Sequence, residues 1–427
     1  MKQVLLLVAA AILLFPTISN AQWTEITFHT NYVKELRAVG DTLYIGGHFT
    51  KTNGTSCYHF AKYDGVNVTS YPSNPGSSQG IFTMANFNGT LWMSCDYTLG
   101  SNWGIGYWDG TTWQDGGGTY YVGWEGSYVD GTDLYFGGFN GRVIKKSGTS
   151  AWTDLASTDS TQDQIWDINK FNNNIVIGGD MVTANSISIE NICYYDGANW
   201  QPFGSGVDST VYAIETMGSD LYVGGVFQNA GGTAAKYIAK WNGSSWSDVG
   251  GSVTGTGTLG VQDMMVYNNR LYVCGDFNEI GGVSTTGVVY WDGNNWNDLG
   301  FPALGSGYPI SMEIYNSGLY VGTNEGYQMI DTSHVYMMPI SGAGIEDVNV
   351  FSTLMIFPNP STDFINIQTS AELKNVNIFD QAGRLVIIVN NVSAMYFQLD
   401  VAALEVGMYL IECETEEGIS TQKFLKE

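Results

Sequence analysis

Four histidines, His29, His48, His59 and His334, are the first places to look for metal or proton-transfer chemistry. None stands in an H-E-x-x-H or comparable ligand spacing. His48 falls where other copies of a repeated strand carry Val226 or Asp276, so it occupies a variable loop position. Tyrosines are plentiful, but nothing marks out a pair beside two histidines, as a copper site would need. There is no G-x-S-x-G elbow, and the glycine-rich run Gly250 to Gly260 lacks the Gly-Lys-Ser/Thr of a phosphate cradle. Asp and Glu number 41 against 16 Lys and Arg, for a net charge of −25. Carboxylates could hold Ca²⁺, but no D-x-[DN]-x-[DN]-G loop supports that, and no cofactor is identified. Pairs such as Glu25 and Asp41 carry no weight in so acidic a chain, because acid–base catalysis needs a set separation across a cleft. The charge repels nucleic acid and anionic membrane surfaces, and reads as solubilising.

The elements that would position any such residues form a repeat. A strand of Leu-Tyr-x-Gly-Gly type begins at Leu43, Leu91, Leu134, Ile175, Leu221, Leu271 and Leu319, about every 46 residues, the period of a β-propeller. Ten residues earlier an apolar residue (Val33, Ile81, Ile165, Val211, Val261) opens a first strand, separated from the second by a Gly/Asn/Asp turn suited to a tight hairpin. A third strand ends on an aromatic before Asp-Gly or Asn-Gly, as at Tyr63, Trp108, Tyr195, Trp241 and Trp291. A fourth opens with Trp113, Trp200, Trp246 or Trp296. The third copy keeps Trp152 without a clear turn before it, and the seventh lacks a fourth strand. Trp23 to Phe28 supplies that missing strand, so the chain should close on itself and lose its exposed edges. The glycine pair should allow close approach near the ring axis. The recurring tryptophans should pack between sheets, in preference to forming a sugar-stacking ladder. The loops after each Leu-Tyr strand differ between copies and should gather on one face, where a ligand would be read.

Met1 to Ala21 has a basic start, a short apolar run and small residues at Ser19 and Ala21, the pattern of a secretory signal cut between Ala21 and Gln22. No later run is long and apolar enough for a transmembrane helix. The five cysteines, an odd number without a CxxC pair, read as mostly unpaired buried thiols.

After Ile340 the repeat stops, and period-two alternation suggests a small β-sandwich. Its motifs are Pro358-Asn359-Pro360, then Asp380 with Gly383 and Arg384, then Gly407 with Tyr409, and finally Lys423 to Lys426. In order and spacing these resemble the type A C-terminal sorting domain of the type IX (Por) secretion system of Bacteroidetes. The resemblance implies export through the periplasm, recognition of the tail by the type IX secretion machinery, and release or anchoring at the cell surface. More loosely, residues 22–342 resemble secreted kelch-like propellers, which implies a fold more than an activity.

The sequence thus predicts an all-β chain: signal peptide 1–21, a seven-bladed β-propeller over 22–342 with the N-terminal strand closing the last blade, a linker at 343–353, and an Ig-like β-sandwich sorting domain over 354–427. The function it favours is a non-catalytic binding or adhesion protein at the cell surface or outside the cell, for a carbohydrate or protein ligand. The alternative is a secreted glycan-processing enzyme with its site on the loop-rich face. No catalytic residue is assigned.

Overall fold

The computed structural model describes residues 23–29, 32–52, 55–57, 59–70, 80–99, 102–117, 123–184, 186–251, 253–254, 259–305, 307–324, 332–340, 355–357, 361–380, 384–415 and 419–426. Contacts divide the chain into two compact units, Met1–Ile340 and Ser341–Glu427.

The first unit is built from one module used repeatedly. In its clearest copy, Val211–Met217, Asp220–Gly225, Ile238–Trp241 and Trp246–Asp248 pair in chain order as an antiparallel sheet. β-branched and aromatic residues fill the strands, and residues tolerant of positive φ make the turns. Gly218 turns the first hairpin at φ +64°. At the last hairpin Asn242 Oδ1 accepts the backbone N–H groups of Ser244 and Ser245, both at 3.0 Å, and Gly243 takes φ +96°. Asp64, Asp109, Asp196 and Asp292 make the same turn.

The innermost strands of successive modules pack side by side. Tyr32–Val39 lies against Ile81–Phe87, followed by Trp124–Asp130, Gln164–Phe171, Val211–Met217, Gly260–Tyr267 and Tyr308–Tyr315, and the last packs back on the first. The cores lie between neighbouring sheets: Tyr222, Ile238 and Val249 of one share a cluster with Val261, Met264 and Trp296 of the next.

The glycine pair has a divided task. A Cβ on the first glycine would strike the next module: on Gly178 it would lie 2.5 Å from Val211 Cγ1, and on Gly137 2.8 Å from Ile165 Cγ2. A Cβ on the second would strike the backbone of its own inner strand, as Gly225 would meet the Thr210 carbonyl.

Three outer tryptophans tie their module to the one before, whereas the buried Trp200 indole N–H makes no such bond. Trp246 Nε1 donates to the Phe203 carbonyl at 2.8 Å, Trp296 to Val249 at 2.8 Å, and Trp152 to Gly116 at 2.9 Å. Phe203, Val249 and Gly116 each lie three residues after the outer tryptophan of the preceding sheet. Trp23 Nε1 continues the series by donating to Leu299 at 3.1 Å. Thr24–His29 pairs antiparallel with Thr332–Pro339, from Thr24↔Met337 to His29↔Thr332, so the first described strand completes the sheet formed by the last repeat.

None of the five cysteines forms a disulfide, and all are buried. Trp108, Trp246, Trp291 and Trp296 are buried, and Trp113 and Trp241 pack as half-buried neighbours of the cores. Their role is therefore structural.

In the second unit Met355–Phe357, Phe364–Phe379, Gly407–Thr415 and Ile419–Lys426 pair in that order, and Leu385–Asp400 pairs along Phe364–Phe379. Its core includes Ile365, Ile367, Val376, Ile378, Ile411 and Phe424.

Candidate functional site

Every inner strand carries the same irregularity. Pairing with the second strand skips a residue between Val33 and Glu35, Ile81 and Thr83, Trp124 and Gly126, Ile165 and Asp167, Val211 and Ala213, Val261 and Asp263, and Pro309 and Ser311. A bulge frees one side chain from the ladder and re-aims it. The skipped residues are Lys34, Phe82, Glu125, Trp166, Tyr212, Gln262 and Ile310, and all line one cavity of about 490 Å³ along the axis. They lie where the second strand runs out into the variable loop, which places them at the loop end of the channel.

Within this rosette Trp166 and Tyr212 meet edge to face, with centroids 5.3 Å apart and planes at 88°. Lys34 Nζ sits 5.1 Å from the Trp166 ring centroid and 3.5 Å from Glu125 Oε2. The channel walls carry six carboxylates, Glu35, Glu125, Asp167, Glu215, Asp263 and Glu313, and two cations, Lys34 and Arg37.

Several of these groups fasten neighbouring inner strands together. Asp167 accepts its neighbour Ile168 N–H and, from the next module, Ile214 N–H, each at 2.7 Å. Asp263 does the same with Met264 at 2.8 Å and Met312 at 2.6 Å. Thr83 Oγ1 meets Ser127 Oγ at 2.8 Å, and Ser311 Oγ donates to the Val33 carbonyl at 3.2 Å. Arg37 Nη2 holds Glu35 at 2.6 Å, and Nη1 reaches Glu313 at 3.6 Å.

Burial raises Asp167 well above the usual carboxylate range. Burial also pushes Glu215 up to about 8, and Asp263, with help from Glu35, to about 7. Glu35 and Glu313 rise for the same reason, against the pull of Arg37. Burial pulls the Arg37 guanidinium down, but Glu35 and Glu313 leave it raised on balance. Although protein encircles Arg37, 36% of its side-chain surface still meets the channel.

The residues singled out from the sequence fare differently. His334 Nε2 faces Glu25 Oε1 at 3.1 Å, on the closing strand pair, and His48 stacks on His59 at 5.2 Å. Among the described residues no three His, Cys, Asp or Glu side chains are grouped to hold a metal ion. Part of the loop variation is framework. Asn229–Ala230 with Thr233–Ala234, and Glu279–Ile280 with Val283–Ser284, are small hairpins. The incoming linkers brace them through the bridges Val207↔Ala230 and Val253↔Ile280. Sequence reasoning missed the rosette because its members share no residue type. The available signal was positional: each directly follows the apolar residue, or Pro309, that opens the inner strand.

In the tail, Asp380 and Arg384 close a turn. Arg384 donates from its backbone N–H at 2.9 Å and from Nε at 2.7 Å, and Asp380 N–H donates back to the Arg384 carbonyl at 2.9 Å. Tyr409 stacks on Phe424 at 5.6 Å and donates its hydroxyl to the Glu405 carbonyl at 3.0 Å. Gly407 pairs with Lys426, and Leu410 with Lys423. Ala21, Gln22, Pro358, Asn359, Pro360 and Gly383 lie outside the described residues.

Repeated four-stranded sheets packed in a circuit, followed by a separate β unit, define an all-β protein of propeller-like fold. Residues 355–427 match the family described as the secretion system C-terminal sorting domain, so the chain carries a type IX sorting domain and is a protein secreted or displayed at the outer-membrane surface. No curated protein matches the chain. Among solved structures, a chain of the mitotic checkpoint complex is similar at 9% identity and a TM-score of 0.52, over 80% of this chain and 98% of that one. The WD40 β-propeller domain of Doa1 is similar at 10% identity and a TM-score of 0.48, over 74% and 96%. The extracellular domain of the one-component system BT4673 from B. thetaiotaomicron is similar at 12% identity and a TM-score of 0.47, over 93% of this chain but 57% of that one. This chain therefore spans little more than half the length of that relative. Among the described residues no helix is long and apolar enough to cross a membrane.

Proposed function

We propose that the chain is a non-catalytic binding or adhesion protein. In this reading a seven-bladed propeller over residues 22–342 presents its loop-end channel mouth to a carbohydrate or protein. An Ig-like sandwich over 354–427, joined by a linker at 343–353, addresses the chain to the type IX machinery, and a signal peptide is removed between Ala21 and Gln22. One observation carries the binding role. Positions that build the sheets repeat from module to module, whereas the bulge residues at the mouth are Lys, Phe, Glu, Trp, Tyr, Gln and Ile. A purely structural position in a repeat is expected to converge on one residue type, and a ligand-reading position is free to diversify. Two of the six channel carboxylates, Asp167 and Asp263, are engaged in strand-to-strand bonds, which favours a structural over a catalytic role for those two.

The test is to immobilise the purified protein and present a panel of glycans and proteins. Retention without chemical change, lost when Trp166 and Tyr212 are replaced by alanine, supports the reading. Turnover of any panel member, or retention indifferent to both replacements, refutes it.

A further inference from the structure

We propose that the loop-end mouth of the channel receives an organic cation, a primary ammonium or guanidinium group, between the Glu125 carboxylate and the Trp166 ring. This deepens the binding function proposed above and rests on it.

Three observations converge on that chemistry. First, the chain's own ammonium already occupies the position, with Lys34 Nζ 3.5 Å from Glu125 Oε2 and 5.1 Å from the Trp166 ring centroid. A cation over an indole face is drawn by the ring quadrupole, more strongly where water is displaced. Second, that internal occupant is held loosely. The Glu125 side chain is 7% exposed, yet its Oε2 takes part in no hydrogen bond, so the Lys34 contact is an ion pair without one. A buried carboxylate oxygen lacking a hydrogen bond favours a donor with better geometry. Third, Tyr212 braces the indole edge to face, which fixes the platform. Lys34, with 30% of its side chain exposed, has a flexible stem that can swing its ammonium outward as the ligand enters.

Rival ligands fit less well. A neutral sugar stacking on the Trp166 ring would displace Lys34 without replacing its charge beside the buried Glu125 carboxylate. A divalent metal would need a grouping of carboxylates that the described residues do not form.

The test is calorimetric titration of the full chain with 1,4-diaminobutane, with neutral 1,4-butanediol as the shape control, in about 0.15 M salt so that diffuse surface attraction is screened. The expected result is one saturable site for the diamine and none for the diol. Glu125→Gln should weaken binding about tenfold or more, and Trp166→Leu about three- to tenfold. Lys34→Met should tighten it severalfold, because the built-in competitor is gone. Adding Glu125→Gln to Lys34→Met should cost about tenfold again, which separates loss of the acceptor from repulsion by a stranded Lys34. Unfolding midpoints within the wild-type range establish that each variant is folded. Many weak sites indifferent to these changes, or weaker binding in Lys34→Met, overturn the proposal. Retention of a glycan or protein at the mouth without any diamine site sinks this inference and spares the broader one. A diamine site with no retained panel member does the reverse.

Discussion

Replacing Trp23 by phenylalanine should destabilise the protein nearly as much as replacing Trp246 by phenylalanine. Each change removes one indole N–H bond to the preceding module, at 3.1 Å to Leu299 and 2.8 Å to Phe203, together with part of a packed ring. One such bond is worth about 0.5–1.5 kcal/mol, and the lost apolar area adds a comparable amount. The expected costs are therefore about 1–2 kcal/mol for half-buried Trp23 and about 1–3 kcal/mol for buried Trp246. Phe28→Ala is the harsher companion. Phe28 is 0% exposed, with its ring centroid 4.8 Å from that of Phe49, and a phenylalanine-to-alanine cavity costs about 3–5 kcal/mol. Guanidinium unfolding at one temperature, followed by intrinsic fluorescence, reads all three. If Trp23→Phe and Phe28→Ala both matched the wild type while Trp246→Phe did not, the first strand would contribute nothing to the last sheet, and the closure described above would be wrong.

Gly178→Ala should cost about 1–3 kcal/mol in the same assay, because its new methyl would lie 2.5 Å from Val211 Cγ1; an unchanged midpoint would mean the modules are less tightly apposed than described. The turn aspartates Asp64, Asp109, Asp196 and Asp292 are held below the usual range because their carboxylates accept backbone N–H groups. Their folded values lie under their unfolded ones, so the stabilisation is complete above about pH 4 and is lost as pH falls through the folded values. Changing all four to asparagine, the residue already at Asn242, should flatten the midpoint's fall between about pH 4 and 2. Glu215 has the opposite sign. Burial raises it from 4.5 to about 8, so its contribution is greatest below the unfolded value and declines as pH rises to about 8. Glu215→Gln should gain on the wild type across that interval, and a constant difference would refute the shift.

Much of the architecture is legible in the sequence because each module solves the same packing problem with the same residues. Leu221-Tyr-Val-Gly-Gly225 recurs because Gly224 must clear Val261 and Gly225 must clear the Thr210 carbonyl. The tryptophan that opens the fourth strand recurs in part because the backbone three residues on accepts the next module's indole, as at Phe203, Val249 and Gly116, although the buried Trp200 indole N–H makes no such bond. Trp152 shows how far this holds: without an Asp-Gly turn before it, Gly148 at φ +53° turns the chain and the indole bond still forms. The rosette was not legible, because searching for repetition discards the positions that do not repeat. The channel carboxylates were hidden by numbers: 41 acids are spread along the chain, and only the ring brings Glu35, Asp263 and Glu313 around Arg37. The small hairpins after the second strands were concealed by residue types that serve equally in open loops, such as Gly231-Gly232, whose φ values are +58° and +79°.

On the binding reading proposed above, the bulge that starts each inner strand separates what the protein is made of from what it touches. A residue outside the ladder has no cross-strand partner to match, so exchanging it leaves register, core and turn chemistry as they were. The mouth can therefore be rewritten one letter per module, and a lineage of such chains could move between targets without refolding the wheel that carries them.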